Sequence, residues 1–188
     1  MQVSIKIIFK LLVVMLLFSA CTSDQLPKPA SYLLLQYPEN TYSLIDNNCK
    51  FVFEVSEQAN VEHLGNCWMK VNYKGMKATL HITYREVKGN LQEILKEVEK
   101  LTFKHTVKAD AINSIPYENP SKRVYGRIYN IAGETATNLL FSATDSVNHV
   151  LAGALYFYVQ PNYDSILPAL KYLEKDIQHL VETLEWKE

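Results

Sequence analysis

The chain has 188 residues, 48% of them hydrophobic and 21% charged, and its 19 basic and 20 acidic side chains leave a formal net charge of −1. That length suits one domain with a well-buried core, and the near-neutral balance lacks the basic patch that nucleic-acid binding needs. No internal repeat or low-complexity tract stands out, and twelve tyrosines against seven phenylalanines suit a partner-contacting surface or a sheet with half-wet faces.

The first ten residues, MQVSIKIIFK, carry Lys6 and Lys10 and no acid; residues 11–18 are an unbroken apolar run, and Ser19 and Ala20 are small. Basic, then apolar, then small is the order of a secretory signal. With its lysines the stretch falls short of the ~20 apolar residues that a spanning helix needs. Cys21 follows Phe-Ser-Ala, which resembles the lipobox of bacterial lipoproteins, whose cysteine is diacylated and becomes the first mature residue. Phe18 stands where leucine is usual. Residues 1–20 are therefore read as a signal peptide and Cys21 as the lipidation site. Cleavage there removes two lysines and no acid, moving the net charge from −1 to −3. Each buried methylene contributes ~0.8 kcal/mol, so several acyl chains on one cysteine hold the protein firmly. Residues 21–31 read as a tether, polar and stiffened by Pro27 and Pro29 toward extended geometry of ~3.1 Å per residue. Thr22, where an aspartate would retain the protein in the inner membrane of other bacteria, leans to the outer membrane.

Residues 32–37 (YLLLQY) form a short apolar run stopped by Pro38. Residues 50–56 alternate, with Phe51, Phe53 and Val55 on one face. Residues 67–74 and 77–85 make a hairpin turning near Gly75. In its second strand Ala78, Leu80, Ile82 and Tyr84 point inward, while Lys77, Thr79, His81, Thr83 and Arg85 point out, as in an antiparallel strand with one wet face. From Asn90, Leu91, Ile94, Leu95, Val98 and Leu101 follow helical spacing, with Gly89-Asn90 as the start and Asn90 as N-cap; this helix runs to about His105. Strands follow at 123–131, 137–144 and 148–159. In the last, Leu155, Phe157 and Val159 share one face and Ala154, Tyr156 and Tyr158 the other, the mark of a central strand covered on two sides. Pro161-Asn162 ends it. Ile166, Leu167, Leu170, Leu173, Ile177, Leu180, Val181 and Leu184 then stripe a second helix, with Pro168 in or near its first turn. Strands in runs, separated by two helices, predict an α+β fold with a mainly antiparallel β-sheet and two main helices. The order fits an αβα sandwich like that of the PsbP/Mog1 group, with residues 32–188 as a single α+β domain.

Once Cys21 is lipidated, Cys49 and Cys67 remain, and an even pair in an oxidising compartment is read as a disulfide. Each cysteine precedes its strand, and a simple hairpin would set those two starts at opposite ends, beyond the ~7 Å that a bond spans. Three arrangements stay open: the strands are not hairpin neighbours, residues 57–66 loop back, or both thiols are buried. No histidine lies near either cysteine in sequence, and their spacing matches no redox or zinc motif. His63, His81, His105, His149 and His179 form no i,i+4 pair and no His-Glu-x-x-His run, so no metal is expected. Glu93, Glu97, Glu99, Lys96 and Lys100 read as a solvated helix face. Asp164 and Ser165 read as helix-start residues, since no G-x-S-x-G elbow surrounds the serine, and the isolated Gly126, Gly133 and Gly153 make no phosphate loop. No cofactor and no catalytic residue is expected. Trp68, outward beside Lys70 and Asn72, is a candidate partner contact, as are Tyr156 and Tyr158.

Several stretches together, LPKPASYLLLQYP, CWMKVNYKGMKATLHITYR, LTFKHTVKADAI and HVLAGALYFYVQPNYDSILPALKYLEKDIQHL, resemble the gliding motility lipoprotein GldD family of the Bacteroidota. The resemblance runs from the lipobox to the C-terminus. It implies a cell-envelope lipoprotein that takes part, without catalysis, in gliding motility and type IX secretion, with other envelope proteins of that machinery as partners. It carries over one functional residue, the lipidated Cys21. The alternative is an envelope enzyme or small-ligand binder with a pocket between sheet and helices, lined from one strand by His149, Tyr156 and Tyr158.

Overall fold

The computed structural model describes residues 37–104, 108–159 and 162–187. The expected signal peptide, Cys21, the tether, most of the apolar run at 32–37, His105 and Pro161 lie outside the described residues. In chain order the elements are β1 (Tyr42–Asp46), β2 (Phe51–Ser56), β3 (Asn60–His63), β4 (Met69–Tyr73), β5 (Ala78–Glu86), α1 (Leu91–Lys104), β6 (Ala111–Asn119), β7 (Val124–Ala132), β8 (Leu139–Thr144), β9 (His149–Phe157), α2 (Tyr163–Thr183) and β10 (Glu185–Trp186). Seven strands form one sheet in the order β3-β4-β5-β9-β8-β7-β6, and β1-β2-β10 form a smaller one. Every neighbouring pair is antiparallel. The fold is α+β and mainly β.

Alternation decides which face of each strand enters the core. Phe51, Phe53 and Val55 of β2, Met69, Val71 and Tyr73 of β4, and Ala78, Leu80 and Ile82 of β5 are all buried. They join Leu139, Phe141, Leu151 and Leu155 of the large sheet and the stripe Leu170, Leu173, Ile177, Leu180 and Val181 of α2 in one cluster. Each Val, Leu, Ile, Phe or Met among them contributes about 1.5–3 kcal/mol when fully buried. One face of the large sheet is thus covered by α2 and the small sheet. Helix α1 crosses the other face, seated through buried Ile94 and through Val98, which shares a cavity wall with β9. Strand β9 is the middle strand of the seven, and its two apolar faces have that cause.

Helix α1 starts where expected, at Leu91 directly after Gly89-Asn90, whereas Pro168 lies deeper in α2 than its first turn. The Asn90 carbonyl accepts the first α1 bonds, from Glu93 and Ile94, and its side chain accepts from the Lys88 N–H at 2.9 Å. In α2, Asn162 caps by accepting from the Ser165 N–H at 3.1 Å. The helix therefore begins at Tyr163, and Pro168 lies inside it, past the turn where a missing N–H is free of cost. The buried stripe outweighs that loss.

Strands β1, β3, β6 and β10 were not among the expected elements. Three are short, and β6 is mostly exposed, with Pro116 paired opposite Arg127. As the last strand of the sheet it can carry a residue without an N–H on its open side. The Lys74–Met76 turn closes the β4–β5 hairpin, with Lys77 left-handed at φ 49°. The face of β5 expected to be wet is not: Thr79 is 5% exposed, and His81, Thr83 and Arg85 are half-buried. Alternation separates two faces, but it cannot show that α1 lies across the second.

Cys49 and Cys67 are joined, with Cα atoms 5.7 Å apart. Strand β2 belongs to the small sheet and β4 to the large one, so the two are not hairpin neighbours and their starts can meet.

Candidate functional site

The register of the two central strands builds a trough. On the face under α1, Thr79 lies opposite Tyr156, His81 opposite Ala154, Thr83 opposite Ala152 and Arg85 opposite Val150. Strand β9 thus offers only methyl groups at 152 and 154, between the taller His81, Thr83 and Arg85 on one side and Leu140 on the other. Val98 and Leu101 of α1 roof the space, and the cavity measures about 540 Å³. From His81 to Arg85 is four residues of strand, ~13 Å, so the cavity is long in the strand direction.

The polar groups of this trough are engaged with one another. The Tyr158 hydroxyl and His81 Nε2 lie 3.2 Å apart, and the Tyr156 ring meets His81 edge-on at 5.4 Å. Thr83 Oγ1 donates to the Ala152 carbonyl at 3.4 Å. At the far end Arg85 grips Glu97 of α1 with two bonds, Nη2 to Oε1 at 3.0 Å and Nη1 to Oε2. Burial, then the charge of Lys70, pushes the His81 pKa down, with Glu62 opposing. The Arg85 contact holds the Glu97 carboxyl below its usual range. An apolar guest would meet no uncompensated charge here.

The structure brings Tyr156 and Tyr158 together at one end of this trough, with Tyr158 62% exposed. His149 stands at an odd position of β9 and so points to the opposite face, where it stacks on Trp186 and meets the Tyr84 hydroxyl at 2.8 Å. Trp68 precedes β4 beside the other end of β5, 42% exposed, its indole N–H donating to the Tyr84 carbonyl at 3.1 Å. The roof and walls, His81, Thr83, Arg85, Val98 and Leu101, were read only as strand or helix faces. The signal that could have found them is a pair of alanines at alternate positions of a strand covered on both sides. Among the described residues, no cluster of three or more His, Cys, Asp and Glu side chains is placed to hold a metal ion, and no helix is long and apolar enough to cross a membrane.

A second polar centre lies on the α2 side. Asp176 is 2% exposed; its Oδ1 accepts from Asn40 Nδ2 at 2.6 Å and from the Tyr42 hydroxyl at 3.2 Å. Tyr42 stacks on His179, which pairs with Glu54 at 2.7 Å. Burial raises the Asp176 pKa, against the opposing pull of the Tyr42, Ser56 and Tyr73 hydroxyls and of His179. The folded state therefore keeps a proton that the unfolded chain releases above about pH 3.9. The contribution to stability is full below that pH and falls as pH rises through the raised folded value. Asp176→Asn cannot ionise and keeps an acceptor for Asn40 and Tyr42. The melting temperature of Asp176→Asn minus that of the parent should thus climb between pH 4 and pH 7.5, read by circular dichroism. A flat difference would mean that Asp176 titrates alike in both states.

The profile of one family, described as gliding motility lipoprotein GldD, matches residues 22–186. No curated protein matches the chain.

Proposed function

We propose, for a chain that belongs to the gliding motility lipoprotein GldD family, that it is a non-enzymatic interaction subunit of the gliding and type IX secretion machinery. Membership makes it a lipoprotein associated with gliding motility and anchored in the cell envelope. The observation that carries the finer reading is the reach of the family match, residues 22–186, which starts directly after Cys21 and takes in both sheets and both helices. In this reading residues 1–20 are removed, Cys21 carries the acyl chains, 21–31 are the tether, and 32–188 form one domain facing the periplasm from the outer membrane. Trp68 and the Tyr156–Tyr158 pair are two separate aromatic contacts for other envelope proteins of the machinery. Half-exposed Trp and Tyr side chains held by hydrogen bonds are the kind that anchor interfaces.

A second reading, a ligand-binding or catalytic envelope lipoprotein, draws support from the cavity under α1, with Tyr156 and Tyr158 at its mouth. Mild cross-linking and affinity capture from native membranes separates the two, together with a deletion strain scored for secretion and surface spreading. The interaction reading expects secretion components among the captured proteins and loss of both traits on deletion. Intact secretion with nothing captured would overturn it. Mass spectrometry of the membrane-extracted protein should find an acylated N-terminal Cys21, and Cys21→Ala should release the protein from membranes.

A further inference from the structure

We infer that the trough under α1 binds a single acyl chain. Three observations on its walls converge. The donors and acceptors there are spent on each other, His81 with Tyr158, Arg85 with Glu97 and Thr83 with the Ala152 carbonyl. A polar ligand would have to break these pairs and leave half-buried polar groups unmatched, a cost that a hydrocarbon avoids. What remains for a guest is hydrocarbon: Val98, Leu101, Leu140, Ala152, Ala154 and the Tyr156 ring. The space also follows the strand direction, because its floor is the two alternate alanines of β9 paired along β5. A volume of about 540 Å³ falls within the range of small-molecule sites. An extended hydrocarbon fits a long channel in which His81 Nε2, Thr83 Oγ1, Arg85 and the Tyr158 hydroxyl are already paired, and its head group stays in solvent beyond Tyr158, the most exposed of the lining tyrosines.

The roof is built to admit such a guest. Helix α1 spans the trough without filling it, and Leu101 is 48% exposed; a bound chain would cover that surface. Each methylene moved from water into the trough adds to the binding free energy, so length should govern affinity. The occupant has two sources, an acyl chain of the protein's own anchor or one from a lipid of the membrane. Chain binding is compatible with the interaction reading and does not depend on it.

The test titrates cis-parinaric acid, a fluorescent fatty acid, into residues 21–188 carrying Cys21→Ala, a form with no lipid of its own. The expected result is one saturable site per chain, displaced by palmitate more strongly than by octanoate. Ala154→Leu, which fills the floor, should weaken binding at least tenfold. Leu101→Ser, at a half-exposed position that can change without loss of the fold, should weaken it severalfold while the melting curve stays in place. The same titration on the lipidated protein identifies the source: blocked binding assigns the trough to its own anchor, and unchanged binding to a foreign lipid. Absence of a saturable site in the lipid-free form, failure of palmitate to compete, or indifference to both substitutions would overturn the inference. None of these results bears on capture of secretion components, so the two readings fail separately.

Discussion

The double variant Cys49→Ala/Cys67→Ala is expected to lose about 3 kcal/mol of stability, the chain-entropy value for a loop of this size. The two cysteines are 18 positions apart, and the loop between them holds all of β2 and β3. The bond does more than shorten that loop. It ties the approach to β2, in the small sheet, to the approach to β4, in the large one, so the two sheets share a covalent corner. Cys67 and its neighbour Asn66 are both left-handed, at φ 59° and 61°, an arrangement that non-glycine residues adopt only at a cost of order 1 kcal/mol each. Without the bond that turn is free to relax, which removes the restraint on β4. For a chain of this size the loss corresponds to about 6–12 °C in melting temperature. Urea unfolding with and without reductant measures it: reductant should lower the midpoint of the parent and leave the variant unmoved. Two alkylatable thiols in the unreduced protein, or equal midpoints for parent and variant, would show that the bond does not hold the sheets.

Gly153→Ala should be almost as damaging, and its cost should depend on one partner. Gly153 lies opposite Phe141 in the β8–β9 register, and a β-carbon there would stand 2.1 Å from Phe141 Cε1 and 2.8 Å from Cδ1 and Cζ. The ring has nowhere to turn, because Phe141 is 1% exposed and Leu139, Leu151 and Leu155 around it are sealed. Overpacking of that kind costs about 1–3 kcal/mol. Phe141→Ala alone leaves a cavity at the centre of the core, at about 3–5 kcal/mol. In the double variant the new methyl group enters the vacated space, so the combined loss should fall short of the sum by about 1 kcal/mol or more, a coupling that a double-mutant cycle resolves. Strict additivity would mean that the ring does not rest on Gly153. The contact explains why the middle strand of the sheet carries a glycine, a residue that otherwise weakens a strand.

Much of this architecture is local and therefore legible along the chain. The alternation of Phe51, Phe53 and Val55, that of Ala78, Leu80 and Ile82, and the stripe from Leu170 to Val181 report which face of each element leaves water, because side-chain direction follows the backbone period of two or 3.6. Two apolar faces on residues 148–159 were enough to make β9 central, and the matching stretches from LPKPAS to the C-terminal helix were enough to assign the family. What the periods cannot carry is which element meets which. β1, β3 and β10 have at most five residues each, too few for any pattern to accumulate, and β6 exposes most of its side chains; these strands exist because a neighbour supplies their hydrogen bonds. The Cys49–Cys67 bond needed β2 and β4 to lie in different sheets, a matter of long-range pairing. The trough needed α1 to cross β5 and β9 above Ala152 and Ala154, which turned an expected wet face into a cavity wall. His149, three and a half turns of the pleat from Tyr156, went to the other side by parity alone. Local sequence set the faces, since each depends on a few bonded neighbours; the partners of those faces were decided only by the competition of all of them for one core.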